Sequence, residues 1–275
     1  MSTEARRSRD DDCWLDHADF SLHPTTVNDA LLALDGVTQR FLRAGDPRAA
    51  FPDIYAVITR KVAERAGWGP RRYFLEPAWM SRVSARFCEQ YLETLRRSLT
   101  GHAQDSRVWA ATYALCDRAD APPIQHAFLG LTAHINFDLA IGIAGTLAEH
   151  GCASDPAKLS RCKHDHDLVN ELLRTSFPEA LECLVSRHDC ATSGLFLERV
   201  RRPAEWMTLG ILGTWRERVW DDAIALLRTT TDPQRDGIVS RMDRRSFRIG
   251  RSLASLVPGP QVLASLAYAR TVGVG

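Results

Sequence analysis

The sequence has no segment that would direct it to or through a membrane. The opening MSTEARRSRDDD has no apolar stretch after its charges, and no later run reaches about 18 uninterrupted apolar residues. We therefore expect neither a signal peptide nor a membrane span, and a cytoplasmic location.

The sequence also has no closely spaced cysteine pair and few lysines. The seven cysteines are scattered and none stands in a Cys-x-x-Cys pair, which argues against a disulfide framework and against a structural zinc knot. Only Lys61, Lys158 and Lys163 among the 35 basic residues are lysines. Such heavy use of arginine is typical of a high-GC genome and indicates a bacterial, and more narrowly an actinobacterial, source.

Several common functional patterns are missing. The formal net charge is +1, so no global basic field is available to bind nucleic acid. There is no glycine-rich phosphate loop, no Gly-x-Ser-x-Gly elbow and no His-Glu-x-x-His zinc motif. The partner expected is thus a small molecule, with neither nucleic acid nor membrane.

What the sequence does have is helical periodicity, without strictly alternating runs rich in Val, Ile and Thr. It predicts a polar leader over 1–24 and one all-α domain, a helical bundle, over 25–275. Thr25 or Thr26 can cap the first helix and Gly45 can close it, and a second follows Pro47. The other predicted helices start at Pro77, Ser106 and Pro122 or Pro123, and then span about 156–175, 178–189, 194–211, 213–229, 233–256 and 259–272.

The segment IQHAFLGLTAHINFDLAIGIAGTLAEH is apolar nearly all the way round, which predicts a helix buried at the centre of the bundle. At about 100° per residue, one stripe carries His126, Gly130, His134 and Asp138, and Gly130 is expected to leave space there. Asn136 points nearly the opposite way. Buried polar groups need partners, because an unpaired one costs ~1–3 kcal/mol.

An imidazole and a carboxylate four residues apart have three possible uses. They can bind one metal ion, they can form an acid/base pair in which Asp138 orients His134, or they can fasten the helix as a structural hydrogen bond. A metal would need further ligands, of which His126 and His166 are the first candidates. Without a metal, Asp138 would need a cation, and Arg216 is expected to pair with it.

Two other segments carry polar groups that could reach this stripe. In RCKHDHDLVN, Asp165, His166 or Asn170 either approaches His134 and Asp138 across the bundle or lies in a solvated first turn. In RERVWDDAIALL, Arg216 precedes Trp220 by one helical turn, so its guanidinium can stack beside the indole.

The block LGLTAHINFDL resembles the hallmark Gly-x-x-Ala-His-Ile-Asn-x-Asp-Leu of an actinobacterial family of uncharacterised proteins. RAAFPDIYAVITRKV, FLEPAWMSRVSARFCEQYLETL, the Trp109 segment, DHDLVNELL and RERVWDDAIALL resemble further elements of that family, with Val219 where the family prefers Ala. The resemblance spans roughly residues 30–230. It implies a shared fold and no assigned reaction.

A local similarity joins LGLTAHINFDLAIGI to helical zinc-dependent phospholipases C and single-strand nucleases. It implies that His134 and Asp138 are metal ligands. Many of those enzymes follow the segment with a Pro-Leu-His element, and here the apolar residues 140–144 stand instead. The departure argues against a trinuclear zinc site and leaves open a site with one metal or none.

The sequence leads us to expect a small-molecule enzyme of bacterial secondary metabolism that performs cyclisation, elimination or hydrolysis in a helical cavity. The alternatives are a zinc-dependent phospholipase C-like hydrolase and a non-catalytic helical binding protein. The expected catalytic residues are His134, Asp138 and Arg216, and the expected substrate-binding residues are His126, Gly130, Asn136, Asn170 and Trp220. If the site holds Zn, Fe or Mn, the ligands expected are His134, Asp138, His126 and His166.

Overall fold

The computed structural model describes residues 23–67, 72–116, 123–188 and 212–256, without the side chains of 124 and 253–256. Within these ranges every regular element is helical, which confirms the all-α class. The α-helices are α1 Val27–Arg43, α2 Ala50–Ala66, α3 Pro77–Leu99, α4 Arg107–Cys116, α5 Pro123–Ala133, α6 Leu139–Glu149, α7 Pro156–Arg187, α8 Leu212–Leu227 and α9 Asp232–Leu256.

Local sequence signals place the early helix ends correctly. The Thr26 hydroxyl accepts a hydrogen bond from the Asp29 N–H, and the Asp29 carboxylate accepts one from the Thr26 N–H, so a capping box starts α1. Gly45 follows the helix with a φ of 62°, a conformation that a side chain would disfavour. A short 3₁₀ turn, Pro47–Ala49, leads directly into α2.

The helices predicted at about 156–175 and 178–189 form one continuous helix, α7, so the break expected before Pro178 is wrong. A proline inside a helix removes one N–H donor and crowds the preceding turn. Here Phe177, Ala180 and Leu184 are buried on one face of that stretch. Their burial favours continuing the helix through the proline.

Some predictions lie outside the described residues. They concern most of the leader and the helices predicted at 194–211 and 259–272.

The helix over residues 123–149, which we call the central helix, occupies the middle of the bundle. Its first half, α5, packs against α2, α4 and α9, and its second half, α6, packs against α3 and α8. Gln125–Glu149 is long and apolar enough to cross a membrane by composition alone, but 94% of its most apolar window is buried inside the protein. This is the behaviour of a core helix.

Candidate functional site

The two halves of the central helix are joined by a wide turn, the π-helical segment His134–Asp138. The Leu139 N–H donates to the His134 carbonyl, five residues back rather than four. A wider turn takes more residues to come round, so residue i+4 lies more nearly above residue i than in an α-helix. π turns inside α-helices are frequent at functional sites.

His134 and Asp138, at the two ends of this turn, are hydrogen-bonded as the spacing predicts. The His134 Nδ1 lies 2.9 Å from the Asp138 Oδ2. From α4, the Trp109 Nε1–H donates to both Asp138 oxygens, at 3.1 and 3.0 Å. The carboxyl group is thus held from two sides, and it fixes the orientation of the imidazole ring.

Aromatic rings enclose the imidazole. The Phe87 ring stacks on it with centroids 3.3 Å apart and planes within 7°. Tyr55 meets the ring edge-on at 4.5 Å and Phe51 at 5.5 Å. Only 2% of the His134 side chain is exposed. The ring is therefore rigid and separated from bulk water.

Burial governs the proton affinities of the pair. Desolvation lowers the pKa of His134 well below its ordinary value, because the charged imidazolium is disfavoured. Desolvation raises the pKa of Asp138 well above its ordinary value, against the opposing effect of the Trp109 hydrogen bonds. The imidazole is therefore uncharged at neutral pH.

The ring lies at the wall of a cavity of about 70 Å³, well above the roughly 10–15 Å³ that one water needs. The walls come from α2, α3, the central helix, α7 and α8, and most are apolar. The lining residues are Tyr55, Ile58, Thr59, Val62, Trp79, Met80, Val83, Ser84, Phe87, Leu131, His134, Ile135, Leu139, His166, Val169, Leu173 and Arg216.

Three buried nitrogens on residues of this lining have no hydrogen-bond partner among the described residues: His134 Nε2, Trp79 Nε1 and Arg216 Nε. Buried polar groups are nearly always hydrogen-bonded, so each exception requires an explanation. Three exceptions around one cavity indicate a place for a polar ligand.

Arg216 does line the site, but the expected ion pair between it and Asp138 is wrong. Its Nη2 donates instead to the His166 carbonyl at 2.6 Å and to the His166 Nδ1 at 3.1 Å. The partner that the carboxyl group needs is supplied by Trp109, a neutral donor 29 residues away in sequence.

In RCKHDHDLVN, the alternative of a solvated first turn is wrong for the two residues that matter. Asp165 is fully buried and accepts from the N–H groups of Leu75 and Glu76 at the start of α3. His166 is also buried and lines the same cavity as His134. Asn170 is not among the lining residues.

Gly130 does not open space as expected. A Cβ placed there would collide with the Phe51 ring at its Cγ, so the glycine is required by the close approach of α2. Phe51 fills the space that Gly130 was expected to leave. In turn, the Phe51 ring meets the edge of His134.

His126, Asn136 and Trp220 lie around the site rather than on its wall. His126 Nδ1 is 3.1 Å from the Cys116 Sγ of α4. The Asn136 amide donates to the Thr132 carbonyl of its own helix at 3.2 Å. Trp220 packs against His166 and Trp79, with ring centroids 5.2 and 6.4 Å away.

The zinc site implied by the phospholipase resemblance does not fit the residues present. Among the described residues, no group of three or more His, Cys, Asp or Glu side chains is placed to hold a metal ion. The two nitrogens of His166 are engaged by Arg216, and His134 Nδ1 is engaged by Asp138. His126 contacts Cys116 instead of joining His134.

Sequence reasoning missed five aromatic residues of the site: Phe51, Tyr55, Trp79, Phe87 and Trp109. Each lies on another helix, and its role depends on which face that helix turns toward the centre. The helical periodicity of α2 and α3 marks their apolar faces. It does not distinguish a ring that packs in the core from one that lines a cavity.

DUF5995, a family of unknown function, matches residues 27–256, from the first residue of α1 to the last of α9. No curated protein and no solved structure matches the chain. The match agrees with the expected place in a family of uncharacterised proteins.

Proposed function

Because the chain belongs to DUF5995, a family of unknown function, we propose its function from the cavity: a small-molecule enzyme in which His134 and Asp138 exchange a proton with a bound ligand. One observation carries the proposal. The imidazole is held at Nδ1 by Asp138, and its Nε2 is buried without a partner among the described residues of the cavity.

A single proton sets what Nε2 does. When Asp138 is ionised, the His134 Nδ1–H donates to it, and Nε2 has a free lone pair that can act as a general base. When Asp138 is protonated, its O–H donates to Nδ1, and Nε2 carries the hydrogen and can act as an acid. The raised pKa of Asp138 brings this exchange closer to neutral pH.

Proton transfer at one fixed atom suits cyclisation, elimination or hydrolysis of a small substrate. The rings of Phe87, Tyr55 and Phe51 keep bulk water from the imidazole, and a dry site strengthens each electrostatic interaction with the reacting group. Bacterial secondary metabolism as the setting stays a prediction from composition.

The proposal is tested with a reaction that needs only one base and a substrate small enough for the cavity, the exchange of the methyl hydrogens of acetone for deuterium in D₂O. We expect kcat/KM of the wild type to exceed that of His134→Gln by at least ~100-fold, the lower end of general base effects. Asp138→Asn should lose as much. The oxygen of the substituted amide can still accept from Trp109, so the amide N–H faces His134 Nδ1 and places the hydrogen on Nε2.

The matched control is His102→Gln, which changes a histidine on the exposed surface outside the cavity and should keep the wild-type rate. A wild-type rate no higher than that of His134→Gln would refute the proposed acid/base role. The non-catalytic binding protein would then be favoured, because the stack of Phe87 on His134 also suits a rigid wall around a bound molecule.

A further inference from the structure

Arg216 is a buried cation, with 5% of its surface exposed. No carboxylate of the described residues forms an ion pair with it. The nearest acidic influences come from Asp167 and Glu217, and both of these carboxylates are bound by Lys163, at 2.5 and 2.9 Å. Desolvation lowers the pKa of Arg216 to about 10, so the group remains charged at neutral pH.

His166 cannot neutralise this charge, and it holds the guanidinium in place. The His166 Nε2 is 3.1 Å from the Arg216 carbonyl oxygen, so this nitrogen carries the hydrogen and donates it. The His166 Nδ1 therefore has a lone pair, which accepts from the Arg216 Nη2 at 3.1 Å. The imidazole is a neutral acceptor, and one edge of the guanidinium is used while Nε stays unpartnered.

Trp79 supplies a second unpartnered donor on the lining of the same cavity, among the described residues. Its side chain is fully buried, and its indole meets Trp220 edge-on at 6.4 Å. Trp220 follows Arg216 by one turn of α8 and also contacts His166. Trp220 is thus a common neighbour of the Trp79 indole and of the His166 ring that holds the guanidinium, whereas the rings in contact with His134 are those of Phe87 and Tyr55. We call the part of the wall formed by Trp79 and Arg216 the Arg216 end of the cavity.

We propose that this end of the cavity binds the carboxylate of a small organic acid, with Arg216 and Trp79 as the donors and the apolar wall around its hydrocarbon part. The inference rests on the proposed function, because it uses the same cavity. A carboxylate is planar and carries a single charge, which matches one guanidinium. Inorganic phosphate and sulfate would leave most of their oxygens against apolar side chains.

The volume limits the size of the acid. A cavity of about 150 Å³ lined by apolar residues holds benzene, and this one encloses about 70 Å³. The probes are therefore acetate, propionate and butyrate, each compared with its own amide, which has the same shape and no charge.

The experiment is a calorimetric titration of the wild-type protein with each acid and its amide at pH 7. We expect the best acid to bind ~10–100-fold more tightly than its amide, because hydrogen bonds to a charged group are about twice as strong as neutral ones. Arg216→Met should remove this preference, and Trp79→Phe should reduce it. Arg174→Met is the matched control, because Arg174 pairs with Glu171 on the exposed face of α7.

Equal affinities for acid and amide would overturn the inference and leave the proton-transfer proposal standing. Stronger binding of phosphate or sulfate would overturn the assignment to carboxylates. If no probe of either kind binds, the inference fails, and the rate of hydrogen exchange of acetone decides the proposed function separately. If Arg216→Met does not fold, as judged by its helical circular dichroism, the wild-type comparison and Trp79→Phe still decide.

Discussion

Where α7 ends against α2, the Asp53 carboxylate is buried with both oxygens occupied. The Arg187 Nη1 donates to Oδ1 at 2.5 Å and the His188 Nε2 donates to Oδ2 at 2.8 Å. Around the cavity, Arg216 is equally buried, has no carboxylate partner among the described residues, and shares its wall with two other unpartnered nitrogens. The first cluster joins α7 to α2 by pairing a buried charge, whereas the second leaves three buried nitrogens without partners among the described residues.

Structural and functional polar groups in the core of a helical bundle differ in how many of their donors and acceptors have partners. Burial alone does not separate them, since Asp53 and Arg216 are both buried. The number of unused donors and acceptors does, because a group kept for stability has its partners inside the fold. Buried polar groups that lower stability and have no such partners are candidates for function.

The two clusters should respond differently to the same substitution, arginine to methionine. Arg187→Met leaves Asp53 without its cation and should lower the free energy of unfolding by ~3 kcal/mol, the low end for a broken buried pair, because Arg187 is partly solvated. Arg216→Met should change it by less than about 1 kcal/mol, since removing an unpaired buried charge offsets the lost hydrogen bonds to His166. Urea denaturation measures both, and equal losses would contradict the distinction.

Trp109→Phe tests whether the His134–Asp138 pair depends on a neutral donor. The variant removes both hydrogen bonds to Asp138 and keeps an aromatic ring. We expect the free energy of unfolding to fall by about 1–2 kcal/mol, and the pKa of Asp138 to rise further. Trp215→Phe, a partly buried tryptophan outside the site, is the control. No loss beyond that of the control would show that Trp109 does not hold the pair.

The buried carboxyl group of Asp138 should make the stability of the protein depend on pH. The pKa of Asp138 is raised in the folded state, so between about pH 3.9 and that raised value the folded chain holds a proton that the unfolded chain has lost. The free energy of unfolding should then fall as pH rises, by at most ~1.4 kcal/mol per pH unit relative to Asp138→Asn. The lowered pKa of His134 acts in the opposite sense below about pH 6.5, in both proteins, so the difference between them isolates Asp138. Parallel curves for the two proteins would be inconsistent with a raised pKa.

The smallest effect is expected for Lys163→Met. Lys163 binds Asp167 and Glu217 at the surface, and exposed ion pairs contribute ~0–1 kcal/mol. The free energy of unfolding should change by no more than about 0.5 kcal/mol. A larger loss would mean that the carboxylates of Asp167 and Glu217, held by Lys163, also stabilise the buried charge of Arg216.

Local signals in the sequence were sufficient for much of the fold and for part of the site. Thr26, Gly45 and Pro77 mark helix ends through backbone chemistry that acts within a few residues. The pairing of His134 with Asp138 follows from helical spacing. The hydrogen bonds from Trp109 to Asp138 and the pairing of His166 with Arg216 did not follow, because both depend on how the helices pack. The local rule also failed at Pro178, where the buried face of α7 outweighs the missing N–H.

Gly130 shows why a residue type does not identify its role. A glycine in an apolar stripe fits both an open space and a close helix contact, and only the position of Phe51 decides between them.

The wide turn at His134–Asp138 gives the central helix a phase shift. The turn contains one extra residue, so the residues after it lie about 100° away from where an uninterrupted α-helix of this sequence would put them. The first half, α5, faces α2, α4 and α9, and the second half, α6, faces α3 and α8. The two halves therefore follow two separate helical wheels. The Thr132 carbonyl, just before the turn, accepts from the side chains of Asn136 and Ser246. Deleting one residue from 135–137 would restore an ordinary α-helical turn, with α6 against the same neighbours and His134 three residues from Asp138 instead of four.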